Sequence, residues 1–323
     1  MSRLGPLEVF GLHPLGKALR ESMLAVRGDG LTPPSRFDTS SLALLDPRLS
    51  IPLWLGRRRP DRLVEIYNYV NRRQTPIEDG WSVRVTQVED HRGGRATYDS
   101  HNGTDFAVPV GTVVVAAAPG RVLRISSEMN RGGLKVFIDH GRGLVTTSNH
   151  LGRSLVDPGD VVQRGQPVAL SGASGIDCLA FFPWSCPHVH FNVWLNGVSV
   201  DPFAADTPPG SRPPEASLWR GPDGQPVPDD GTGRDAELSP TDWDEAGVEA
   251  ALSACRHDAA RAEIAGITDP AQRAMTALFL MNYYPTRFSA RPNVYRTTFE
   301  RGPFLDLPFR REDFDGIAPP RRR

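Results

Sequence analysis

Between residues 81 and 203 the sequence is a succession of short runs of β-branched, aromatic and other apolar residues, most of them closed by glycine or proline. The runs include WSVRVTQV, TVVVAAAPGRVLRIS, GGLKVFIDHGRGLVTTSNHL and QPVALSG. Residues of these types favour strands, while the Pro-Gly, Gly-Gly and Pro-Gly-Asp clusters between them favour turns. The pattern predicts one mainly β central domain, over residues 81–203, built as an antiparallel β-sheet or sandwich.

Helical patterns flank this domain. Residues 1–80 are predicted to be a helical region, with one helix near Leu15–Val26 and another over Asp61–Arg73, where Leu, Ile, Tyr and Val recur at helical spacing after Pro60. The alternating run WSVRVTQV, at 81–88, is predicted to be the first strand of the β domain.

After the β domain, residues 204–238 are rich in Pro, Gly and Asp, so they are predicted to be a linker or a strap on the domain surface. Residues 239–323 are predicted to be a second helical region that ends in a basic tail. One helix is expected to start at 239–242, where Ser-Pro-Thr-Asp offers an N-cap. A second start is expected at 268–270, Thr-Asp-Pro.

Charge and composition exclude several classes of partner. A formal net charge of -1 gives no field of one sign that would attract nucleic acid or an anionic membrane. We find no run of the ~18 apolar residues that a membrane-spanning helix needs. The N-terminal residues lack the apolar stretch of a signal peptide, which makes a cytoplasmic location the default expectation. Three cysteines are too few for a disulfide scaffold.

The β domain carries an unusual concentration of metal-binding residue types. His188 and His190 in PHVHFNVWLNG are two residues apart on a predicted strand, so both rings should project from one face. His101, Asp105 and His150 lie in the same domain. A catalytic zinc site takes three imidazole or carboxylate ligands and keeps one position open, and a water bound there has its pKa lowered from about 15.7 to roughly 7. His-x-His alone is more often structural than functional, but the joint occurrence favours a metal site.

Four segments together resemble the lysostaphin/LytM-type zinc metallopeptidases, peptidase family M23: HNGTDFAVPVGTVVVAAAPGRV, VFIDHGRGLVTTSNHLG, VDPGDVVQRGQPVALSG and PHVHFNVWLNGVSVDP. The resemblance covers residues 95–203 and implies the duplicated hybrid β-fold of that family. It implies one Zn²⁺ per chain, with His101, Asp105 and His190 as metal ligands and His150 and His188 as the catalytic histidines. Most members of the family cleave peptide cross-links of bacterial peptidoglycan, which is the substrate implied here.

Two other functions remain open beside the peptidase. Some members of the family have lost ligands and act as regulators that bind and activate cell-wall hydrolases; the five intact positions here argue against that. The segment DPGDVVQRGQPVALSG also resembles biotinyl or lipoyl carrier modules, which need an exposed lysine. No lysine follows Lys135, which argues against a carrier.

The sequence departs from the family in the segment before His-x-His. Where a short Gly/Ser turn is usual, residues 175–186 read GIDCLAFFPWSC, and Ser148 stands where tyrosine is common. We expect this insertion to form a lip over the metal site that sets substrate choice, with packing against the flanking regions as the alternative. Cys178 and Cys186 bracket the insertion, and either a disulfide or two reduced thiols is compatible with their spacing.

Overall fold

The computed structural model describes residues 3–203, 216–232 and 239–320. Within these residues eleven strands form one sheet, which confirms the mainly β centre with helices towards both termini. The strands are β1 Leu63–Asn68, β2 Thr104–Ala107, β3 Val113–Val115, β4 Gly120–Glu128, β5 Gly133–Asp139, β6 Leu144–Ser154, β7 Val161–Val162, β8 Pro167–Ser171, β9 His188–Leu195, β10 Val198–Val200 and β11 Gly316–Ala318.

The strand order is β11-β1-β2-β9-β6-β5-β4-β7, with β10 beside β9, and β8 beside both β3 and β6. Neighbouring strands are antiparallel, as predicted, except that β1 runs parallel to β11. These two strands come from the N-terminal and C-terminal parts of the chain, so the sheet extends beyond the predicted limits 81–203. The strands predicted from the turn-punctuated runs between residues 112 and 171 are confirmed as β3, β4, β5, β6 and β8.

The α-helices of the described residues precede and follow the central strands in sequence, except for one helix that lies between β8 and β9. They are α1 Pro6–Val9, α2 Leu15–Arg27, α3 Pro47–Trp54, α4 Ile176–Ala180, α5 Glu245–Ala254, α6 Asp258–Ala265 and α7 Pro270–Tyr283. Two predicted helices are confirmed, α2 near its expected bounds and α7 at its expected start. In α7 the carboxylate of Asp269 accepts a hydrogen bond from the backbone N–H of Gln272 and so caps the helix at the predicted start.

The predicted helix over Asp61–Arg73 is wrong, because β1 occupies Leu63–Asn68. All but the first residue of β1 are buried, so both faces of the strand are covered. Val64 and Ile66 enter the main core, while Tyr67 on the opposite face packs against α3. A strand that is apolar on both faces has no clear alternation, and its apolar residues can then coincide with helical spacing.

The predicted strand at residues 81–88 is also wrong. Only a single isolated bridge, from Ser82 to Arg36, forms there among the described residues. The carboxylate of Asp99 instead accepts hydrogen bonds from the backbone N–H groups of Thr86 and Gln87 and from the hydroxyls of Ser82 and Thr86. A buried carboxylate therefore takes the place of a partner strand and holds this segment as an irregular loop.

The helix start predicted at 239–242 is wrong by a few residues. The helix α5 begins at Glu245, where the Asp244 carboxylate accepts from the N–H of Ala246. The Thr241 hydroxyl donates to Asp139 and accepts from the N–H of Gly143, so it connects this segment to the β5–β6 turn instead of capping a helix. Of the predicted strap, 204–215 and 233–238 lie outside the described residues, as does the basic tail at 321–323.

Strand β9 shows how the two faces of the sheet are used. Val189, Phe191 and Val193 enter the main hydrophobic core. Their neighbours His188, His190, Asn192 and Trp194 share the opposite face, as period-two alternation requires. Trp194 joins a second core formed with α5, α6 and α7. The polar part of the face is thereby placed next to α7.

No helix of the described residues is long and apolar enough to cross a membrane.

Candidate active site

A single row of residues crosses four neighbouring strands and forms the floor of the site. Asn68 on β1 is in register with Asp105 on β2, Asp105 with His190 on β9, and His190 with Asn149 on β6. Residues directly opposite each other in adjacent strands project from the same face. The register therefore brings a carboxylate, an imidazole and two amides together on one face of the sheet.

His101, in the loop before β2, completes a group of three potential metal ligands. Its Nε2 lies 3.0 Å from Oδ1 of Asp105 and 3.1 Å from Nδ1 of His190, and Nδ1 of His190 lies 2.7 Å from the same carboxylate oxygen. All three residues are buried. Bond lengths of ~2.0–2.1 Å in tetrahedral zinc sites place neighbouring ligand atoms roughly 3.3 Å apart, so small outward shifts fit these donors to such an ion.

Hydrogen bonds to the other ring nitrogens make this donor set suitable for a cation. Nδ1 of His101 lies 2.6 Å from the carbonyl oxygen of Tyr69, so it carries the proton and leaves Nε2 with a free lone pair. Nε2 of His190 lies 3.1 Å from Oδ1 of Asn102, which leaves Nδ1 free. The identity of that amide oxygen is fixed because it also accepts from Nδ2 of Asn192 at 2.8 Å. Three electron-pair donors thus converge, which fits a bound divalent cation.

The electrostatics of the group point the same way. Burial would raise the pKa of Asp105, but the imidazoles of His101, His188 and His190 around its carboxylate hold it well below the usual value. Burial lowers the pKa of His190 to about 4. At neutral pH the site therefore presents an ionised carboxylate and a neutral imidazole, which are the protonation states that a metal ion requires.

His150 reaches this face through a bulge at the middle of β6. Ser148 pairs with Val136 and Leu151 with Leu134, so β6 has one residue more than β5 between these pairs. His150 adopts φ 58°, a left-handed conformation that non-glycine residues seldom take. In a regular strand His150 would face away from its neighbour Asn149, and the bulge redirects it to the site. The two rings of His150 and His188 are 4.6 Å apart.

The rings of His150 and His188 are held by backbone carbonyls. Nδ1 of His150 lies 2.7 Å from the oxygen of Ser174, and Nδ1 of His188 lies 2.7 Å from the oxygen of Cys186. Each Nδ1 therefore donates, and each Nε2 keeps a lone pair. Burial lowers the pKa of His150, which favours its neutral form. The structure thus brings all five residues predicted from the sequence into one cluster.

A cavity of 220 Å³ opens over the cluster, and most of its lining is apolar. Part of the wall comes from outside residues 95–203, namely Ala25, Val26, Phe37, Leu44, Leu45 and Tyr67 near the N-terminus and Tyr283 on α7. The insertion supplies Ile176, Cys178 and Phe181. The predicted position of the insertion beside His101, Asp105 and His190 is confirmed, since it forms one side of the cavity.

The insertion is attached to the N-terminal region. The Ser50 hydroxyl donates to the carbonyl of Pro183, and Nε1 of Trp54 donates to the carbonyl of Ser185, both at 3.0 Å. Phe182 packs edge-on against Trp54, with ring centroids 4.8 Å apart. The lip and helix α3 therefore form one wall, and both alternatives expected for the insertion, packing and lining the cavity, are met.

Cys178 and Cys186 are separate thiols. Cys186 is buried beside Leu49 and Leu53 of α3. Cys178 faces the site, where its Sγ lies 3.6 Å from Nδ1 of His150. Burial raises the pKa of the Cys178 thiol well above its usual value.

Several residues of the site carried no signal of function in the sequence. Asn68 donates from Nδ2 to Oδ2 of Asp105 at 2.7 Å. The amide oxygen of Asn192 accepts from Asn149 at 3.0 Å and from the Tyr283 hydroxyl at 3.3 Å. A correct assignment of LVEIYN as a strand would have indicated Asn68, because the strand's polar last residue could then have been placed next to β2. Tyr283 belongs to an apolar helix and shows no comparable signal.

Residues 99–202 match the model for peptidase family M23. This segment, about a third of the chain, resembles a peptidase family M23 domain. The chain is 38% identical over 108 residues to the peptidoglycan DD-endopeptidase ShyB of Vibrio cholerae, which covers 33% of this chain and 24% of that protein. It is 37% identical over 108 residues to an uncharacterized metalloprotease of Haemophilus influenzae, covering 33% and 21%. The chain spans less than a quarter of either relative.

Among solved structures, a zinc-containing peptidase from Vibrio cholerae is similar to this chain, with 28% identity and a TM-score of 0.33. The similarity covers 47% of this chain and 41% of that one. The match to the family model includes all five site residues and the insertion, but not Asn68, Tyr69 or Tyr283.

Proposed function

We propose that this protein is a zinc-dependent endopeptidase that hydrolyses peptide cross-links of bacterial peptidoglycan. The observation that carries the proposal is the convergence of three lone-pair donors, from His101, Asp105 and His190, next to two further imidazoles. The names of relatives such as the peptidoglycan DD-endopeptidase ShyB support the choice of substrate.

His101, Asp105 and His190 would hold one Zn²⁺. When bound there, zinc supplies Lewis acidity that activates water and polarises the carbonyl of the scissile amide. Nδ1 of His101 donates to the carbonyl oxygen of Tyr69, and Nε2 of His190 donates to Oδ1 of Asn102. These hydrogen bonds fix the orientation of the two rings.

His150 and His188 would move protons. Each presents Nε2 without a proton to the cavity, because its Nδ1 donates to a backbone carbonyl. The Nε2 of either ring can accept a proton from the attacking water and return it to the departing amine. General acid–base groups of this kind typically contribute a factor of about 10² to 10⁴ each.

Metal content and turnover of single variants test the proposal. His190→Ala should lose both zinc and activity, since it removes a ligand. His150→Ala and His188→Ala should retain one zinc per chain and lose at least about 100-fold in kcat. His257→Ser is a matched control, because His257 caps α6 through Nδ1 and serine is also a good N-cap.

Activity is measured on purified muropeptides by mass spectrometry, and zinc by elemental analysis after mild purification. A protein that binds no transition metal would overturn the zinc assignment. The alternative, a regulator that activates a cell-wall hydrolase without cleaving bonds, would show bound zinc, no cleavage by the wild type, and stimulation of an added hydrolase.

A further inference from the structure

Three metal-binding side chains meet on the open side of the first donor set. His150, Cys178 and His188 each offer one ligand atom, and these atoms all lie within 4.8 Å of one another. All three residues are buried. They come from different elements, since His150 lies on β6, Cys178 on α4 and His188 on β9.

We infer that His150, Cys178 and His188 form a second metal site, for a divalent ion of the zinc type. Both imidazoles already have one nitrogen bonded to a carbonyl, so each has one lone pair left for a ligand. Thiolate and imidazole together select zinc-like ions over calcium or magnesium.

The charges around this group suit a cation. Nε2 of His150 lies 3.6 Å from a carboxylate oxygen of Asp177, and Nε2 of His188 lies 3.6 Å from Oδ1 of Asp105. Asp177 is part of the insertion and lines the cavity, so it is available as a fourth ligand. Sγ of Cys178 lies 3.6 Å from Nδ1 of His150, so zinc bonds of ~2.0–2.3 Å require this thiol to turn towards Nε2 and the donors to close in by about 1 Å.

The second site shares its two histidines with the proposed proton-transfer step. An ion bound there would occupy the Nε2 atoms that must exchange protons, so excess zinc should inhibit. This consequence rests on the proposed function, whereas metal binding itself does not.

Cobalt titration tests the site directly. The full chain is first loaded with one equivalent of Zn²⁺ under reducing conditions and then titrated with Co²⁺, which binds such sites more weakly than zinc and so leaves the first ion in place. We expect a second equivalent to bind with a thiolate-to-cobalt charge-transfer band in the near ultraviolet. The first donor set contains no sulfur, so the band reports the second site alone.

Cys178→Ser should abolish the charge-transfer band and still bind the first zinc, which also shows that the variant is folded. Cys186→Ser and Cys255→Ser should keep the band, because these thiols lie outside the group. The inference is overturned if the reduced wild type shows no band at excess cobalt, or if the band survives in Cys178→Ser.

Inhibition provides a second, separable readout. Excess Zn²⁺ should reduce turnover of the wild type, and Cys178→Ser should require more zinc for the same reduction. If the protein cleaves nothing, the proposed function fails while the cobalt band still decides the second site.

Discussion

Asn68 should control metal affinity although it is not a metal ligand. Its Nδ2 donates to Oδ2 of Asp105 at 2.7 Å, with both side chains buried, while Oδ1 of the same carboxylate faces the two histidine ligands. A hydrogen bond to a charged group contributes about 1.5–3 kcal/mol. Loss of a partner that orients a ligand typically lowers metal affinity by about 10- to 100-fold, or roughly 1.4–2.7 kcal/mol.

The variant Asn68→Leu tests this effect, and denaturation of the metal-free chain measures the accompanying change in stability. Oδ1 of Asn68 is a buried acceptor with no hydrogen-bond partner, so its removal relieves a cost. Leucine is similar in size to asparagine and should pack beside the neighbouring apolar side chains. We therefore expect zinc affinity to fall by about 10- to 100-fold. The metal-free chain also loses the hydrogen bond to Asp105, and removal of the unpaired Oδ1 offsets part of that loss, so its free energy of unfolding should fall by no more than about 3 kcal/mol.

The assay is competition for Zn²⁺ against a chromogenic chelator, with chemical denaturation of the metal-free protein in parallel. Asn282→Leu is the control, since Asn282 lies on α7 and its amide donates to the carbonyl of Leu278 in the same helix. An affinity within about twofold of wild type in Asn68→Leu would refute the reasoning, because the orienting hydrogen bond would then contribute nothing.

Two further predictions concern the lip and a buried histidine. Replacement of 177–185 by a short Gly-Ser turn should retain the first zinc and the rate on a small generic peptide but change the preference among wall fragments; unchanged preference would leave the lip as packing. Burial, with a smaller effect of Arg92, lowers the pKa of His91 from its ordinary 6.5 to about 4. The unfolded chain thus binds the proton first as pH falls, so stability present above pH 6.5 is lost between 6.5 and about 4, by on the order of 3 kcal/mol. His91→Phe keeps the stacking on Phe203 and should flatten this part of the stability curve measured by chemical denaturation; an unchanged pH dependence would contradict it.

Local signals were enough to predict much of the sheet. The runs separated by turns that contain glycine or proline form β3, β4, β5, β6 and β8, because turn residues limit where a strand can continue. The segment LVEIYN was mistaken for helix because both of its faces are covered, and the covering groups lie far away in sequence. The strand predicted at 81–88 does not form for a related reason, because the carboxylate of Asp99 accepts hydrogen bonds from the backbone N–H groups of Thr86 and Gln87.

The five central residues of the site were found from residue type and family pattern, but their surroundings were not. His101 and Asp105 lie four residues apart, and His188 and His190 lie two apart, so local spacing reveals them. The position of His150 depends on a β-bulge, and no short sequence pattern predicts the register shift that this bulge introduces. Asn68 reaches the site through strand pairing, which depends on the whole sheet.

The site therefore has a family-like centre and supports that lie outside the matched domain. The backbone carbonyl of Tyr69 accepts a hydrogen bond from Nδ1 of His101, and the amide of Asn68 donates to Asp105 and orients it. Tyr69 and Asn68 both precede residue 99. Tyr283, from α7, donates to the amide that in turn holds Asn102 against His190. Each ligand of the first site is thus constrained, directly or through one amide pair, by a segment from outside 99–202. Because second partners of this kind set ring orientation and basicity, the flanking regions would be part of the proposed metal site and not separate attachments.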